Sequence, residues 1–256
     1  LLDSSGVSWH RSCYHQRQRT AKAKRSDMRR LSFVALVTLL CVPAAANAQQ
    51  SLTFSVGGFV PKSEDARFRN DDVLANNLDF LAFNIKDFSG GTANIEYTAP
   101  LGEFFEAGLG VGVYRSTVPS VYADFVNENG DEIEQDLKLR IVPFTATLRF
   151  LPLGHGGAIE PFIGAGLGVF NWRYTETGEF IDFGDGSLFR DSFVGSGTST
   201  GPVILGGLRV PLGAWGLGTE IRWQSAEGDL PIQEEFAGSR IDLGGWTYLA
   251  TFHVRF

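Results

Sequence analysis

The eleven residues Trp246-Thr-Tyr-Leu-Ala-Thr-Phe-His-Val-Arg-Phe256 restrict the fold more than any other stretch of the chain. Trp246, Tyr248, Ala250, Phe252, Val254 and Phe256 fall on one side of an extended segment. Thr247, Thr251, His253 and Arg255 fall on the other, and Leu249 alone breaks the alternation. Side chains of a strand alternate with a period of two, so this is a ribbon with an oily, aromatic-tipped face and a polar face.

The other end of the chain reads as an export signal. Arg29-Arg30 precede the apolar run Leu31–Val42, and Ala46-Asn47-Ala48 supplies a small-x-small cleavage site. The run is too short to span a bilayer, and the three parts come in the order of a secretory signal peptide. Met28 is the one methionine and stands directly before Arg29, which places the expected start of translation there. Residues 1–27 are then upstream sequence, 28–48 the signal peptide and 49–256 the mature domain. Eight of the 22 basic and two of the 29 acidic residues precede position 49, leaving 14 and 27, a net charge of −13. That balance argues against nucleic-acid partners. Both cysteines, Cys13 and Cys41, also lie before position 49, so the mature domain holds no thiol, disulfide or cysteine metal site.

Alternating segments recur along the mature region at Leu52–Val60, Thr92–Thr98, Phe104–Tyr114, Val142–Phe150, Ile159–Val169, Val203–Val210, Leu217–Gln224 and Trp246–Phe256. Their connections alternate in kind. Pro100-Leu-Gly102, Leu151–Gly157 and Pro211-Leu-Gly213 are short and punctuated by Pro and Gly, whereas 61–91, 116–137, 174–200 and 225–243 are long, charged and mostly acidic. Strands of this length with short turns on one side and long loops on the other predict an all-β, eight-stranded antiparallel up-and-down transmembrane β-barrel. Asn129-Gly130 and Asp185-Gly186 mark hairpin tips in two of the long connections. Asn127, Asn129 and Asp131 have the spacing that opens a calcium loop, but the closing acid falls out of step, which favours a plain turn. Pro143 and a change of apolar phase, from Leu137, Leu139 and Ile141 to Val142, Phe144 and Ala146, predict a bulge near Arg140–Pro143.

Turning the apolar phase to lipid puts Glu96, Glu106, Arg149, Glu160, Arg209, Glu220, Arg222 and Arg255 in the lumen. Four acids and four arginines in a narrow space predict one hydrogen-bonded structural network. A proton path or a carboxylate pair would need a cleft and a substrate route. The glycines at 108, 110, 112, 164, 166 and 168 make room inside, and Gly164-Ala-Gly166 lacks the helix that a dinucleotide site requires. His253 has Thr251 and Arg255 on its own face and no serine, so no nucleophile–base pair is in register. No catalytic, metal-binding or cofactor-binding residues are expected. Phe54, Tyr97, Phe150, Trp215 and Phe256 form one expected aromatic girdle. Trp223, Trp246 and Tyr248 form the other, with Trp172 joining them if its strand also slips phase.

These features together resemble the bacterial outer membrane protein β-barrel domain family, porin-like proteins that include the small OmpA-, OmpX- and OmpW-type barrels. The resemblance implies the outer membrane of a Gram-negative bacterium, outer-membrane lipid and the barrel-assembly machinery as partners, and a terminal assembly signal at Tyr248, Phe252, Val254 and Phe256. Its first functional reading is a non-enzymatic barrel acting in envelope integrity or surface interaction. Recognition would then fall to Tyr122, Phe125, Phe180, Phe183, Phe189 and Phe236 in the long acidic loops. The alternative is an OmpW-like route for small hydrophobic molecules, favoured by an apolar upper lumen with a lateral opening. A lipid-modifying enzyme wants a Ser/His constellation, and a soluble lipocalin-like barrel would not carry outward aromatic girdles.

Overall fold

The computed structural model describes residues 50–67, 70–127, 129–182, 184–230 and 236–256. The expected upstream segment and signal peptide lie outside them. Eight long antiparallel strands form the ring: β1 (Ser51–Pro61), β3 (Gly90–Pro100), β4 (Phe105–Val126), β5 (Glu132–Phe150), β6 (Glu160–Ile181), β7 (Leu188–Leu212), β8 (Trp215–Gln224) and β11 (Gly245–Arg255). Each pairs with its neighbour in sequence, and β1 closes the ring on β11 from Ser51↔Arg255 to Pro61↔Gly245. Outside the ring, β2 (Leu81–Ala82) pairs with the tip of β4, and β9 (Glu227–Asp229) pairs with β10 (Arg240–Asp242).

Closure fixes the stagger. Trp172 pairs with Ile141, Ile141 with Tyr114, Tyr114 with Thr92, Thr92 with Gly57, Gly57 with Leu249, Leu249 with Glu220, Glu220 with Gly207, and Gly207 with Phe162. The path returns to β6 ten residues below its start (172 less 162). A ten-residue stagger across eight strands corresponds to a tilt of about 40° with ordinary strand rise and spacing. Such a barrel is just wide enough for its own side chains.

An apolar belt surrounds the end that carries the short turns. On β4 it runs from Phe105 through Leu109 and Val111 to Val113, and on β5 from Phe150 through Leu148 to Phe144, all exposed on the outer surface. Eight residues of tilted strand give a belt of roughly 20 Å along the barrel axis, near the ~25 Å band of membrane barrels. Phe54, Phe150, Trp215 and Phe256 rim its lower edge, and Trp246 and Tyr248 face outward towards its upper edge. The turn from β7 to β8 is a two-residue hairpin, Gly213-Ala214, in which Gly213 takes a φ of +81°.

Above the belt the same strands continue, and the expected loops 116–137 and 174–200 are largely strand. Here the solvent outside is water, so the apolar residues change sides. Leu137, Leu139 and Ile141 are fully buried inside while Val142 and Phe144 face out below them. The expected bulge at Arg140–Pro143 is therefore absent. The β5–β6 ladder is continuous from Gln135 to Phe150, and β4 and β5 keep one register across the site. Pro143 only interrupts the β4 ladder locally, between Val111↔Phe144 and Tyr114↔Ile141. The one register shift between these strands lies higher, between Val121 and Val126. Trp172 likewise leaves the outer girdle: β6 does not slip, and Trp172 is 2 % exposed inside, donating from Nε1 to Ser199 Oγ at 3.1 Å.

The remaining two long connections fold into the upper barrel. Residues 61–91 supply α1 (Glu64–Arg67), α2 (Asp72–Asn77), β2 and a 3-10 turn at Ile85–Phe88. Asp71 caps α2, its Oδ1 accepting from Leu74 N at 2.9 Å. Val73, Leu74, Ile85 and Phe88 pack in one buried cluster with Leu137, Tyr174, Ile241 and Leu243. Arg67 bonds Asp71 and the Asp242 carbonyl (2.7 Å), and Lys62 reaches Asp242 at 2.8 Å, tying the two connections together.

Single-tryptophan variants test the continuous phase of β6. Lipids brominated in their acyl chains should quench Trp246 and leave Trp172 unquenched; quenching of Trp172 would place it in the girdle.

Candidate functional site

The lower lumen holds the eight expected charges, all within ion-pair distance of a partner. Glu96 lies between Arg149 (2.7 Å) and Arg222 (3.0 Å), and Glu220 bonds the same two arginines at 2.9 and 2.7 Å. Glu106 takes both terminal nitrogens of Arg209 at 2.7 Å, and Arg255 reaches Glu160 at 2.6 Å. These are three groups rather than one continuous network. Phe162 joins two of them, with the Arg149 and Arg209 guanidiniums 4.9 and 4.7 Å from its ring centroid. Arg149 is 1 % exposed and Glu160 0 %, so the pairs are desolvated and neutral in sum. Gly108 makes room for them: a Cβ there would stand 2.3 Å from Glu96 Oε1. His253 is held between threonines, Nδ1 2.8 Å from Thr53 Oγ1 and Nε2 3.0 Å from Thr251 Oγ1. Asn127 Oδ1 accepts from the amides of Asn129 and Asp131, which makes that spacing a turn.

The upper end holds a cavity of about 440 Å³, within the range of small-molecule sites. One wall is the inner face of the extended strands: Tyr122, Gln135, Glu176, Phe180, Phe189 and Phe193. Facing it, the inserted connections contribute Asn77, Phe80, Leu81 and Ala237. Phe180 stacks on Phe189 (5.7 Å, 26°) and meets Phe193 edge-on (4.8 Å, 87°). Tyr122 accepts from Gln135 Nε2 at 3.1 Å. The polar residues of the lining include a buried carboxylate that has no cation within ion-pair distance among the described residues. Glu176 is buried, and its Oε1 accepts from Asn77 Nδ2 at 2.6 Å and from the Tyr174 hydroxyl at 2.9 Å. Burial raises the Glu176 carboxyl above the usual range and outweighs both hydrogen bonds. Burial, reinforced by the Glu176 charge, also holds the Tyr174 hydroxyl far above its ordinary value.

The expected recognition residues thus divide. Tyr122, Phe180 and Phe189 meet in the cavity. Phe236 packs beneath, against Tyr174 (5.9 Å) and Phe193 (6.4 Å). Phe125 is exposed, edge-on to Tyr122, and Phe183 lies outside the described residues. Sequence reading missed Asn77, Gln135, Glu176 and Phe193. A signal existed for Glu176, because it shares the inward phase of β6 with Phe170, Trp172 and Tyr174.

A closed antiparallel ring with an apolar outer belt and a charge-paired interior is an integral membrane β-barrel of the outer-membrane type. Among solved structures the chain is similar to the N-terminal β-barrel domain of Pseudomonas aeruginosa OprF (13% identity, TM-score 0.38, 82% of this chain and 98% of that one). It is also similar to Neisserial surface protein A (12%, 0.42, 82% and 100%) and to a major outer membrane protein from Thermus thermophilus (13%, 0.44, 82% and 100%). No protein-family model and no curated protein matches the sequence.

Two variants probe the two sites. Arg222→Ala leaves Glu96 and Glu220 each one cation short, and loss of a buried partner costs about 3–5 kcal/mol. Its urea midpoint should fall well below that of the wild type, and an unchanged midpoint would contradict the buried pairing. For Glu176 the sign follows from the raised value. The folded state binds that proton more tightly than the unfolded state, so the contribution is full below the ordinary value of 4.5 and is lost as pH rises through the folded one. The stability of Glu176→Gln relative to wild type should therefore increase with pH above 4.5 in a series of denaturation curves.

Proposed function

We propose that this protein is a non-enzymatic outer-membrane barrel that recognises a small amphipathic molecule at its outward mouth. The observation that carries this reading is the aromatic cavity with the buried, cation-free carboxyl of Glu176 among its polar residues. Phe180, Phe189 and Phe193 suit an apolar body, while Glu176, Asn77 and Gln135 suit a head that donates hydrogen bonds. One wall of the cavity is built on long strands, which favours a preformed site. Asp182 lines it, and the hairpin tips of the same strands carry Asp131, Glu132 and Asp185, a negative charge that favours cationic over anionic visitors. None of the described lining residues pairs a nucleophile with a base, which supports binding over turnover. The proposed role of the lower lumen charges is a structural plug that holds the ring closed.

Primary alkyl amines and alkyl sulfates of equal chain length distinguish the chemistry when titrated into the protein in nanodiscs. The amine should bind more tightly, and Phe180→Ala should weaken it about tenfold or more, as expected for losing a buried ring contact. Equal affinity of the variant would remove the cavity from the function. A steady conductance step in planar bilayers, retained after both hairpin tips are shortened, would favour a conduit for small hydrophobic molecules instead.

A further inference from the structure

Three arginines stand side by side on the outer wall, away from the cavity. Arg115 on β4 pairs in register with Arg140 on β5, and Arg140 pairs in register with Arg173 on β6. All three are exposed and point outward. Like charges directly opposite across a sheet repel, and no carboxylate of the described residues lies within ion-pair distance of any of them. Lys138, the next basic residue on β5, is by contrast engaged by Asp136 at 3.0 Å. In a region with 27 carboxylates and 14 cations, none of the described carboxylates engages these three adjacent guanidiniums.

Their height identifies the counter-charge. Directly below, the outward residues are Val113 and Val142, the top of the apolar belt on β4 and β5, and Asn171, which caps Val169 on β6; above come Thr117 and Thr175 beside Lys138. The row therefore sits where hydrocarbon gives way to headgroups. Opposite on the ring, the outward faces of β8 and β11 carry Trp223, Trp246 and Tyr248 and no charged residue. Guanidiniums present planar forks that bind phosphate oxygens in pairs, and three in register offer more donors than a single phosphate needs.

We propose that Arg115, Arg140 and Arg173 form a docking site for the phosphorylated headgroup of an outer-leaflet lipid. The bound anion relieves the mutual repulsion of the row, and the acyl chains lie along the belt of β4, β5 and β6. One lipid is thereby held on one side of the barrel, which gives the ring a fixed lipid-facing front.

The test uses the mature chain in phosphatidylcholine nanodiscs with or without phosphatidic acid, read by thermal unfolding and by lipid retained in native mass spectrometry. Wild type should be stabilised by phosphatidic acid and retain it, with retention falling about fivefold for each arginine removed. The Arg115→Gln, Arg140→Gln, Arg173→Gln triple variant should fold and unfold in phosphatidylcholine alone at or above the wild-type temperature, since the substitutions remove the mutual repulsion and these side chains have no ion-pair partner to lose among the described residues. Replacing the three by lysine should restore part of the retention, because charge returns without the planar fork. Equal stabilisation and retention in wild type and triple glutamine variant would overturn the proposal. So would an equal shift from inorganic phosphate in phosphatidylcholine, which would make the row a site for free anions.

Discussion

The long strands β4, β5, β6 and β7 each hold one pleat across the level at which the medium outside changes from hydrocarbon to water. That constraint organises the rest of the molecule. Where lipid is outside, apolar residues must face out and the narrow lumen receives what is left, which is Glu96, Glu106, Glu160, Glu220 and the four arginines that neutralise them. Where water is outside, the apolar residues turn inward on the same strands, and Leu137, Ile141, Phe170, Trp172 and Tyr174 build a core of ordinary globular type. One wall thus serves two opposite hydrophobic patterns without a bulge between them.

The two halves need different solutions to polar burial. Below, charges are paired in a space that cannot admit bulk water, so each unpaired group would be costly. Above, the inserted connections bring their own core residues and satisfy their backbone with Asp71, Arg67 and Gln224, the last donating to the Leu243 carbonyl at 2.9 Å. The cavity lies where this inserted material stops short of the strand wall. Glu176 is a buried acid of that wall held by hydroxyl and amide partners, with no cation among the described residues, which marks the spot as different in kind from the plug below.

Much of this was legible in the sequence, and the failures share a cause. The eight strands, the short turns and the membership of the lumen charges follow from a period of two once lipid is assigned to the apolar face. The same rule misread Leu137–Pro143 and Trp172, because a reversal of solvent and a reversal of pleat leave the same trace in a hydrophobicity pattern. It also turned 116–137 and 174–200 into loops, since strands with water outside carry polar outward residues such as Thr175 and Thr177. The partition of the lumen charges into three groups depended on register, set by the ten-residue stagger. The burial of Val73, Leu74 and Phe88 depended on long-range packing that no local pattern encodes.

Spin labels carried one at a time on β5, from 134 to 150, test the single pleat most directly, and the lack of cysteine in residues 49–256 makes the scan clean in that segment. Even positions should be accessible throughout, to a water-soluble nickel complex from 134 to 140 and to oxygen dissolved in lipid from 142 to 150. Odd positions should be protected from both. A switch of the accessible set from odd to even between 140 and 143 would contradict the continuous pleat and restore the bulge.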